Sequence, residues 1–446
     1  MIPPALRQRF RLRSCLAAIV ACLGAATAAA EPRLEPVFPL QGEHAHGSTL
    51  VELPNGDLLA GWFQGSGERW ADDVRILGAR KPRGASAWSE PFLLADVEDF
   101  PDCNPVLFVD PRGRLWLMWI AILANQWETS LIKYRISHDY LDTPGAPRWA
   151  WQDTLLVKAG DRTERGIQAG DAFAVSVERQ VRDYAAYLAG DPATAPLVAR
   201  WEERAARLVS LARGEDMRRP GRVPAVDGSA DAVELGYPYF RRMGWQTRNK
   251  PFFTRSGRMI VPLYSDGFSF SLMAFTDDGG ETWGSGAPLV GAGNIQPALA
   301  ATASGGLVAY MRDNGPPPKR LHVSRSEDDG LTWSPVRDST LPNSGTACDI
   351  VTLANGDWVL INNDTEEGRE RLTVSLSTDE GRTWTHRVLV HEPGTRSHYP
   401  ALIVGADGRL HATFSHFAAD GTKQIRYATF TEAWLRGAAR PFKSED

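Results

Sequence analysis

The sequence predicts an all-β protein, a six-bladed β-propeller with a helical insertion between blades 2 and 3. Three observations carry this. A motif of the form Ser/Thr-x-Asp-x-Gly-x-Thr-Trp occurs at 276–283, 326–333 and 377–384, and its aspartates Asp278, Asp328 and Asp379 are spaced by 50 and 51 residues. A wider pattern of apolar strand, glycine turn and apolar strand occurs six times. One interval between its turn glycines is too long, and the excess has a helical period. Repeats of this length signal stacked or radially arranged units rather than one irregular domain.

The wider pattern covers residues 48–59, 104–118, 249–262, 296–310, 349–361 and 399–413. Its turn glycines are Gly56, Gly113, Gly257, Gly306, Gly356 and Gly408, separated by 57, 144, 49, 50 and 52 residues. Each turn joins two short apolar runs, as in a hairpin. A third strand follows in the later repeats and ends in the Asp motif, which predicts four-stranded blades. The motif itself reads as a turn, in which Asp satisfies backbone N–H groups, Gly takes a conformation other residues avoid, and Trp packs. The short segment 33–38 is expected to supply the outer strand of the last blade and so close the ring.

Between Gly113 and Gly257, residues 171–188 and 196–213 carry charged residues among Val, Tyr, Leu and Ala at helical spacing. Asp171 and Asp191-Pro192 are start signals. Residues 158–236 therefore read as an inserted helical hairpin, a lid or a brace, expected to be separable from the ring, with a Pro/Arg/Gly-rich loop over 214–228.

The N-terminus reads as a targeting segment. Arg7, Arg9, Arg11 and Arg13 precede the apolar run 16–26, and Ala28-Ala29-Ala30 offers a cleavage site before Glu31. The run is far shorter than the ~20 residues a membrane span needs. Residues 1–30 are thus expected to be a signal peptide and 31–446 the propeller, periplasmic or secreted, with no stable membrane insertion. Cys15 and Cys22 leave with the leader. Cys103 and Cys348 fall on opposite blades and are expected to be free, buried thiols. A net charge of −5 gives no reason to expect nucleic acid as a partner. No phosphate loop, zinc signature or nucleotide motif is present, so no cofactor or metal is expected.

In such a ring the inner strands begin around one central funnel. Their starts carry His44, His46, Asp102, Asn104, Arg248, Asn249, Lys250, Gln296, Ser344, Asp349, His398 and Tyr399. The following loops add Trp62, Asp72, Asp73, Tyr264, Asp266, Arg312 and Asn362. So many ionisable and amide groups at one mouth point to a binding or active site. Each alone has a plainer reading: Tyr399 as a packed aromatic, His46 as a satisfied turn histidine, Asp73 as an ion-pair partner of a nearby arginine.

The Asp motif resembles the Asp-box, or bacterial neuraminidase repeat, of the sialidase superfamily, whose members are β-propellers with these boxes on outer turns away from the active site. The resemblance covers the chain after Glu31 except the insertion. It implies an aspartate acid in the first blade, a tyrosine nucleophile at the last inner strand and an arginine clamp for a carboxylate. Tyr399, in Tyr399-Pro400-Ala401-Leu402, matches the tyrosine. Asp73, in Asp73-Val74-Arg75-Ile76, matches the acid, with Asp72 beside it. Arg371, or Arg369, precedes Leu372-Thr373-Val374 as a clamp arginine does, and Arg248 and Arg312 are further clamp positions. Two family features are missing. The first clamp arginine is replaced by His44-Ala45-His46-Gly47-Ser48, and the glutamate that activates the tyrosine by Arg248-Asn249-Lys250-Pro251.

The residues and the resemblance together predict an exo-acting glycoside hydrolase that removes a terminal acidic sugar from an oligosaccharide or polysaccharide. Asp73, Tyr399 and His46 are the expected catalytic groups. Arg248, Lys250, Gln296, Arg312, Arg371, Asn104, Asp349 and Trp62 are the expected substrate contacts. Two other readings stand beside it. One is a uronate-directed lyase or rhamnosidase-like enzyme using His46 with Tyr399. The other is a non-catalytic glycan-binding propeller with Trp62 and Trp70 as stacking surfaces.

Overall fold

The computed structural model describes residues 31–160, 168–214 and 239–437. The expected leader, residues 1–30, and all but the first residue of the loop 214–228 lie outside these.

The strands form six sheets in chain order around one axis. After β1 (Arg33–Pro36), blade 1 contains β2 (His44–Glu52), β3 (Leu58–Gly65), β4 (Arg75–Lys81) and β5 (Phe92–Ala95). Blade 2 contains β6 (Asp102–Val109), β7 (Leu115–Ile122), β8 (Ser130–Ser137) and β9 (Trp151–Leu155). In blade 3 the inner strand is split into β10 (Trp245–Thr247) and β11 (Phe252–Phe253), both paired with β12 (Met259–Ser265), and β13 (Phe270–Thr276) and β14 (Gly284–Ser285) follow. Blade 4 is β15 (Asn294–Ala301), β16 (Leu307–Asp313), β17 (Arg320–Ser326) and β18 (Arg337–Pro342). Blade 5 is β19 (Asp349–Thr352), β20 (Trp358–Asn362), β21 (Arg371–Ser377) and β22 (Thr385–His391). Blade 6 is β23 (Arg396–Val404), β24 (Leu410–Phe417) and β25 (Lys423–Phe430), with β1 as its outermost strand. The antiparallel pairing of β1 with β25, Arg33 opposite Thr429, puts both ends of the ring in one sheet. The ring then cannot open without breaking that sheet.

Several strands next to the innermost ones are buried on both faces and read as apolar runs rather than strict alternations. Leu115–Ile122 is buried along its whole length. Cys103 and Cys348 are free and buried, in blades 2 and 5, as expected.

The Asp-boxes close the turns between the third and fourth strands of blades 3, 4 and 5. In the first, Asp278 Oδ1 accepts from the backbone N–H of Glu281 at 3.0 Å and of Thr282 at 2.9 Å. Its Oδ2 accepts from the Thr282 hydroxyl at 2.6 Å. These donors hold the Asp278 carboxyl well below the usual carboxylate range. The box glycine faces the preceding blade. A Cβ on Gly280 would lie 2.6 Å from the Trp116 ring, one on Gly330 2.9 Å from Ile260, and one on Gly381 2.2 Å from the Tyr310 hydroxyl. The repeat spacing is therefore also a docking interval, since each box seats its blade on the one before.

The helical insertion lies between β9 and β10. It contains α1 (Ala172–Ala189) and α2 (Val198–Arg213). Asp171 caps α1 by accepting from Ala174 N at 3.0 Å, and Gly214, at φ 66°, ends α2 in the left-handed conformation. The expectation of a detachable hairpin is corrected here. Phe173, Val177, Val181 and Tyr184 of α1 and Trp201, Leu208 and Leu211 of α2 share one apolar core with Trp245, Phe268 and Phe270 of blade 3. Gln180 also bridges the loop after β14, donating to Pro288 O at 2.6 Å and accepting from Val290 N at 2.9 Å. Arg241 meets Asp171 at 2.6 Å, with both side chains 2 % exposed. The hairpin is a built part of the wall.

Candidate active site

Four inner strands carry the same irregularity near their mouth-side ends. The register shifts between His46 and Thr49 in β2, between Cys103 and Val106 in β6, between Ile295 and Ala298 in β15, and between His398 and Ala401 in β23. At each shift one residue takes a left-handed backbone: Gly47 at φ 65°, Asn104 at 53°, Gln296 at 55° and Tyr399 at 56°. A bulge re-aims a side chain out of the strand's alternation. Three of the four are not glycine, and each such residue costs about 1–3 kcal/mol. Asn104, Gln296 and Tyr399 all line one cavity of about 190 Å³, with His46, Phe63, Glu68, Trp127, Tyr264, Asp266 and Arg312. The bulges repeat around the ring and direct these side chains at one point.

Inside the cavity the polar groups form one network. The Tyr399 hydroxyl accepts from Arg312 Nη1 at 2.7 Å and from Gln296 Nε2 at 3.4 Å. Arg312 Nη2 donates to Asn314 Oδ1 at 3.0 Å. The guanidinium of Arg369 stands 5.9 Å from the centre of the Tyr399 ring, and burial pushes it below its ordinary value. Asn104 Nδ2 donates to the Tyr264 hydroxyl at 3.1 Å, which donates to Gln246 Oε1 at 3.0 Å. Gln246 Nε2 in turn donates to Asp266 Oδ2 at 2.8 Å. Burial raises the Asp266 carboxyl above the usual carboxylate range, and raises the Tyr264 phenol well above its own.

The His46 ring is 4.3 Å from the Tyr399 ring and 4.9 Å from that of His398. Its Nδ1 is 2.8 Å from the Ser415 hydroxyl. Burial pushes its pKa well down, and His398, His44, Arg369 and Arg248 push the same way. The imidazole is therefore neutral near pH 7. Glu68, on the β3–β4 loop, lies 3.0 Å from His44 Nε2 at the cavity edge.

The structure thus brings His46, Tyr399, Gln296, Arg312 and Asn104 together and places the other expected residues elsewhere. Asp73 is exposed on the β3–β4 loop and accepts from Ser66 N and Oγ, at 3.1 and 2.8 Å. That loop sends Glu68 to the cavity instead. Arg371 points away from the mouth, with its Nε on Asp364 Oδ1 at 2.7 Å, while Arg369 faces Tyr399. Arg248 lies beneath the tyrosine, 2 % exposed, and spends its donors on the carbonyls of Ser48, Tyr399 and Pro400. It ties blades 1 and 6 to blade 3 and has no place in a carboxylate clamp. Lys250 pairs with Asp349 Oδ2 at 3.0 Å, and the same oxygen accepts from Leu402 N at 2.7 Å, so this pair joins blades 3, 5 and 6. Trp62 is fully buried, stacked on Phe38 at 4.8 Å, and unavailable to a sugar. Asp102 accepts from Trp119 Nε1 at 2.8 Å and from Val97 N at 2.6 Å, and burial raises its pKa to about 7. Among the described residues no group of three or more His, Cys, Asp or Glu is arranged to hold a metal ion.

A six-bladed ring with Asp-boxes on its outer turns and a strained polar cavity on its axis defines a class, the sialidase-superfamily propellers. The chain belongs to the BNR repeat-like domain family, whose model matches residues 56–161 and 230–412, more than half of its length. A search of curated proteins by sequence gives no match. Solved structures agree on the fold. A protein of unknown function from Dyadobacter fermentans superposes with a TM-score of 0.61 at 13 % identity, over 90 % of this chain and 99 % of that one. The leech intramolecular trans-sialidase gives 0.59 at 12 %, over 93 % and 72 %. The NanB sialidase of Streptococcus pneumoniae gives 0.58 at 11 %, over 90 % and 70 %. The fold is accordingly that of sialidase-superfamily glycoside hydrolases.

Proposed function

We propose that this chain is an exported glycoside hydrolase that releases a terminal sugar bearing a carboxylate, with Tyr399 as the attacking group. The observation that carries this reading is the Tyr399 phenol oxygen held 2.7 Å from the Arg312 guanidinium on a left-handed bulge. Arg312 Nη1 donates to that oxygen and fixes its direction. The backbone strain is spent on aiming that one oxygen into the cavity. Arg312 and Arg369 supply the donors for the substrate carboxylate, which matches planar guanidinium groups.

The chemistry balances with groups in the cavity. In the tautomer with the proton on Nδ1, neutral His46 accepts the Tyr399 proton on Nε2. The phenolate attacks the anomeric carbon, and the glycosidic bond breaks. Asp266, whose pKa burial raises, gives its proton to the leaving oxygen. Water then attacks the tyrosyl-linked sugar, Asp266 takes its proton, and Tyr399 recovers the proton held by His46. A retaining enzyme uses one carboxyl as acid and then as base in this way. The family resemblance is consistent with hydrolysis of an acidic glycan, and the solved sialidases share the fold.

A second reading is favoured by the neutral His46 beside Tyr399. On a uronate, His46 would take the proton next to the carboxylate and Tyr399 would protonate the leaving oxygen, giving elimination. The test is incubation of the chain from Glu31 onward with sialosides and with uronate oligosaccharides, read by mass spectrometry. A product gaining one water supports hydrolysis. A product without it, absorbing in the ultraviolet, replaces hydrolysis by elimination. Saturable binding with no product overturns both.

A further inference from the structure

A second cavity, of about 330 Å³, lies between the helical hairpin and blade 4 and is unused by the funnel. Tyr184 and Leu188 of α1 and Trp201 of α2 form one wall, and the proline run Pro316–Pro317–Pro318 forms the other. Its volume is at the lower end of pockets that take small organic ligands. Aromatic and proline surfaces offer apolar faces suited to the C–H face of a sugar ring.

The charges in this cavity are unequal. Its two carboxylates, Asp313 and Asp338, are both turned to His322, at 3.4 and 2.9 Å. They flank a buried imidazole whose pKa they raise to about 9 against the opposing effect of burial. These are contacts by distance rather than aligned hydrogen bonds. Arg200 and Arg204 line the same space one helical turn apart, and among the described residues neither forms an ion pair. Arg204 is half-buried, so its charge is costly there without an anion.

We infer that this cavity is a second binding site for one acidic sugar unit, its carboxylate on Arg200 and Arg204 and its ring against Trp201, Tyr184 and the proline wall. The inference rests on the acidic-glycan reading of the funnel for the identity of the sugar. The two sites share a loop. Asn314 lines the second cavity and accepts from Arg312, which holds Tyr399. An occupied second cavity would restrain Asn314 and hence the arginine that orients the reacting oxygen. The insertion then extends substrate recognition beyond the terminal sugar, which a bare six-bladed ring does not do.

The experiment is a calorimetric titration with methyl β-D-glucuronide, methyl β-D-glucoside and inorganic sulfate. It is run on the full chain after Glu31, on Tyr399→Phe/Arg369→Ala, and on Arg200→Ala/Arg204→Ala. The funnel variant should lose the glucuronide held at Arg369 and keep the set of sites that needs Arg200 and Arg204, and that set is the one compared. The glucuronide should bind the Arg200/Arg204 variant there at least about tenfold more weakly, and the neutral glucoside should bind wild type at least about tenfold more weakly than the glucuronide. Equal binding to wild type and to the Arg200/Arg204 variant overturns the proposal, as does equal binding of the glucoside or no binding of the glucuronide at all. Sulfate binding as tightly as the glucuronide reduces the cavity to a simple anion site and also overturns it. If the double variant fails to fold, Arg200→Glu, at an exposed position, serves the same comparison. Glucuronide binding that depends on Arg200 and Arg204 in a chain with no turnover would refute the funnel mechanism and leave this site standing.

Discussion

At the scale of single residues, the site depends on where a strand's alternation is broken. Tyr399 and Gln296 were legible because they stand at strand starts, where a closed ring forces convergence. The left-handed bulge that aims them was not legible, since neither residue type favours it. Arg369 and Arg371 differ by two positions, and sequence alone leaves both open. The turn before β21 decides, sending Arg371 to Asp364 and Arg369 to the tyrosine. Arg369→Ala should therefore raise KM for an acidic substrate by about ten- to a hundredfold, and Arg371→Ala should leave it near the wild-type value; steady-state kinetics on both variants checks this. Glu68 carries no signal in the sequence because it lies mid-loop with no motif, and the loop's path depends on Asn125 holding Arg69 O and Asp72, each at 2.9 Å. Asp102 gives a prediction on pH. Its folded pKa, about 7, is raised above the usual value, so the native state binds more protons than the unfolded chain between about pH 4 and 7. Its contribution to stability is lost as pH rises through that window. Asp102→Asn will lower stability overall, because amide and carboxylate satisfy the Trp119 and Val97 donors differently. The difference between wild type and variant should nevertheless shrink from pH 4 to pH 7 in a series of thermal melts.

At the scale of elements, the repeats were the readable part, because each glycine turn and each Asp-box states its own geometry. In the sequence the box reads as a turn. The structure adds that its glycine is a contact with the preceding blade. Gly381→Ala should destabilise by about 2–4 kcal/mol, since the new Cβ meets the Tyr310 hydroxyl and the Trp358 ring at a φ of 81°. Chemical denaturation measures it. The α1–α2 hairpin was readable as two helices but not as part of the core. Its helical period shows which face is apolar without showing what that face covers. Phe173 on Phe268 and Phe270, at 5.7 and 6.3 Å, and the buried Arg241–Asp171 pair now supply the answer. Replacing residues 165–232 by a Gly/Ser linker should expose Trp245, Phe268 and Phe270 and give insoluble protein or a strongly lowered Tm. A soluble variant with the wild-type melt would show that the hairpin is not part of the wall.

At the scale of the whole molecule, closure makes the site. The residues around the cavity lie on five different blades, from His46 in blade 1 to Tyr399 in blade 6, and only a complete ring brings them together. β1 completes it by joining the first residues after Glu31 to the last blade. Closure also explains why several polar residues at strand starts are structural. Arg248 satisfies carbonyls, and Asp349, paired with Lys250, holds the Leu402 amide, where blades meet near the axis, and a list of strand-start residues cannot separate these from groups that face the cavity. The most direct test of the account is a covalent trap. The chain is incubated with a fluorinated acidic glycosyl fluoride that forms but slowly releases the glycosyl-enzyme, and its peptides are then mapped by mass spectrometry. The account predicts one added sugar on the peptide containing Tyr399, absent in Tyr399→Phe, whose kcat should fall by about a thousandfold or more. Turnover of the parent substrate with no adduct on Tyr399, or with undiminished activity in Tyr399→Phe, would contradict it.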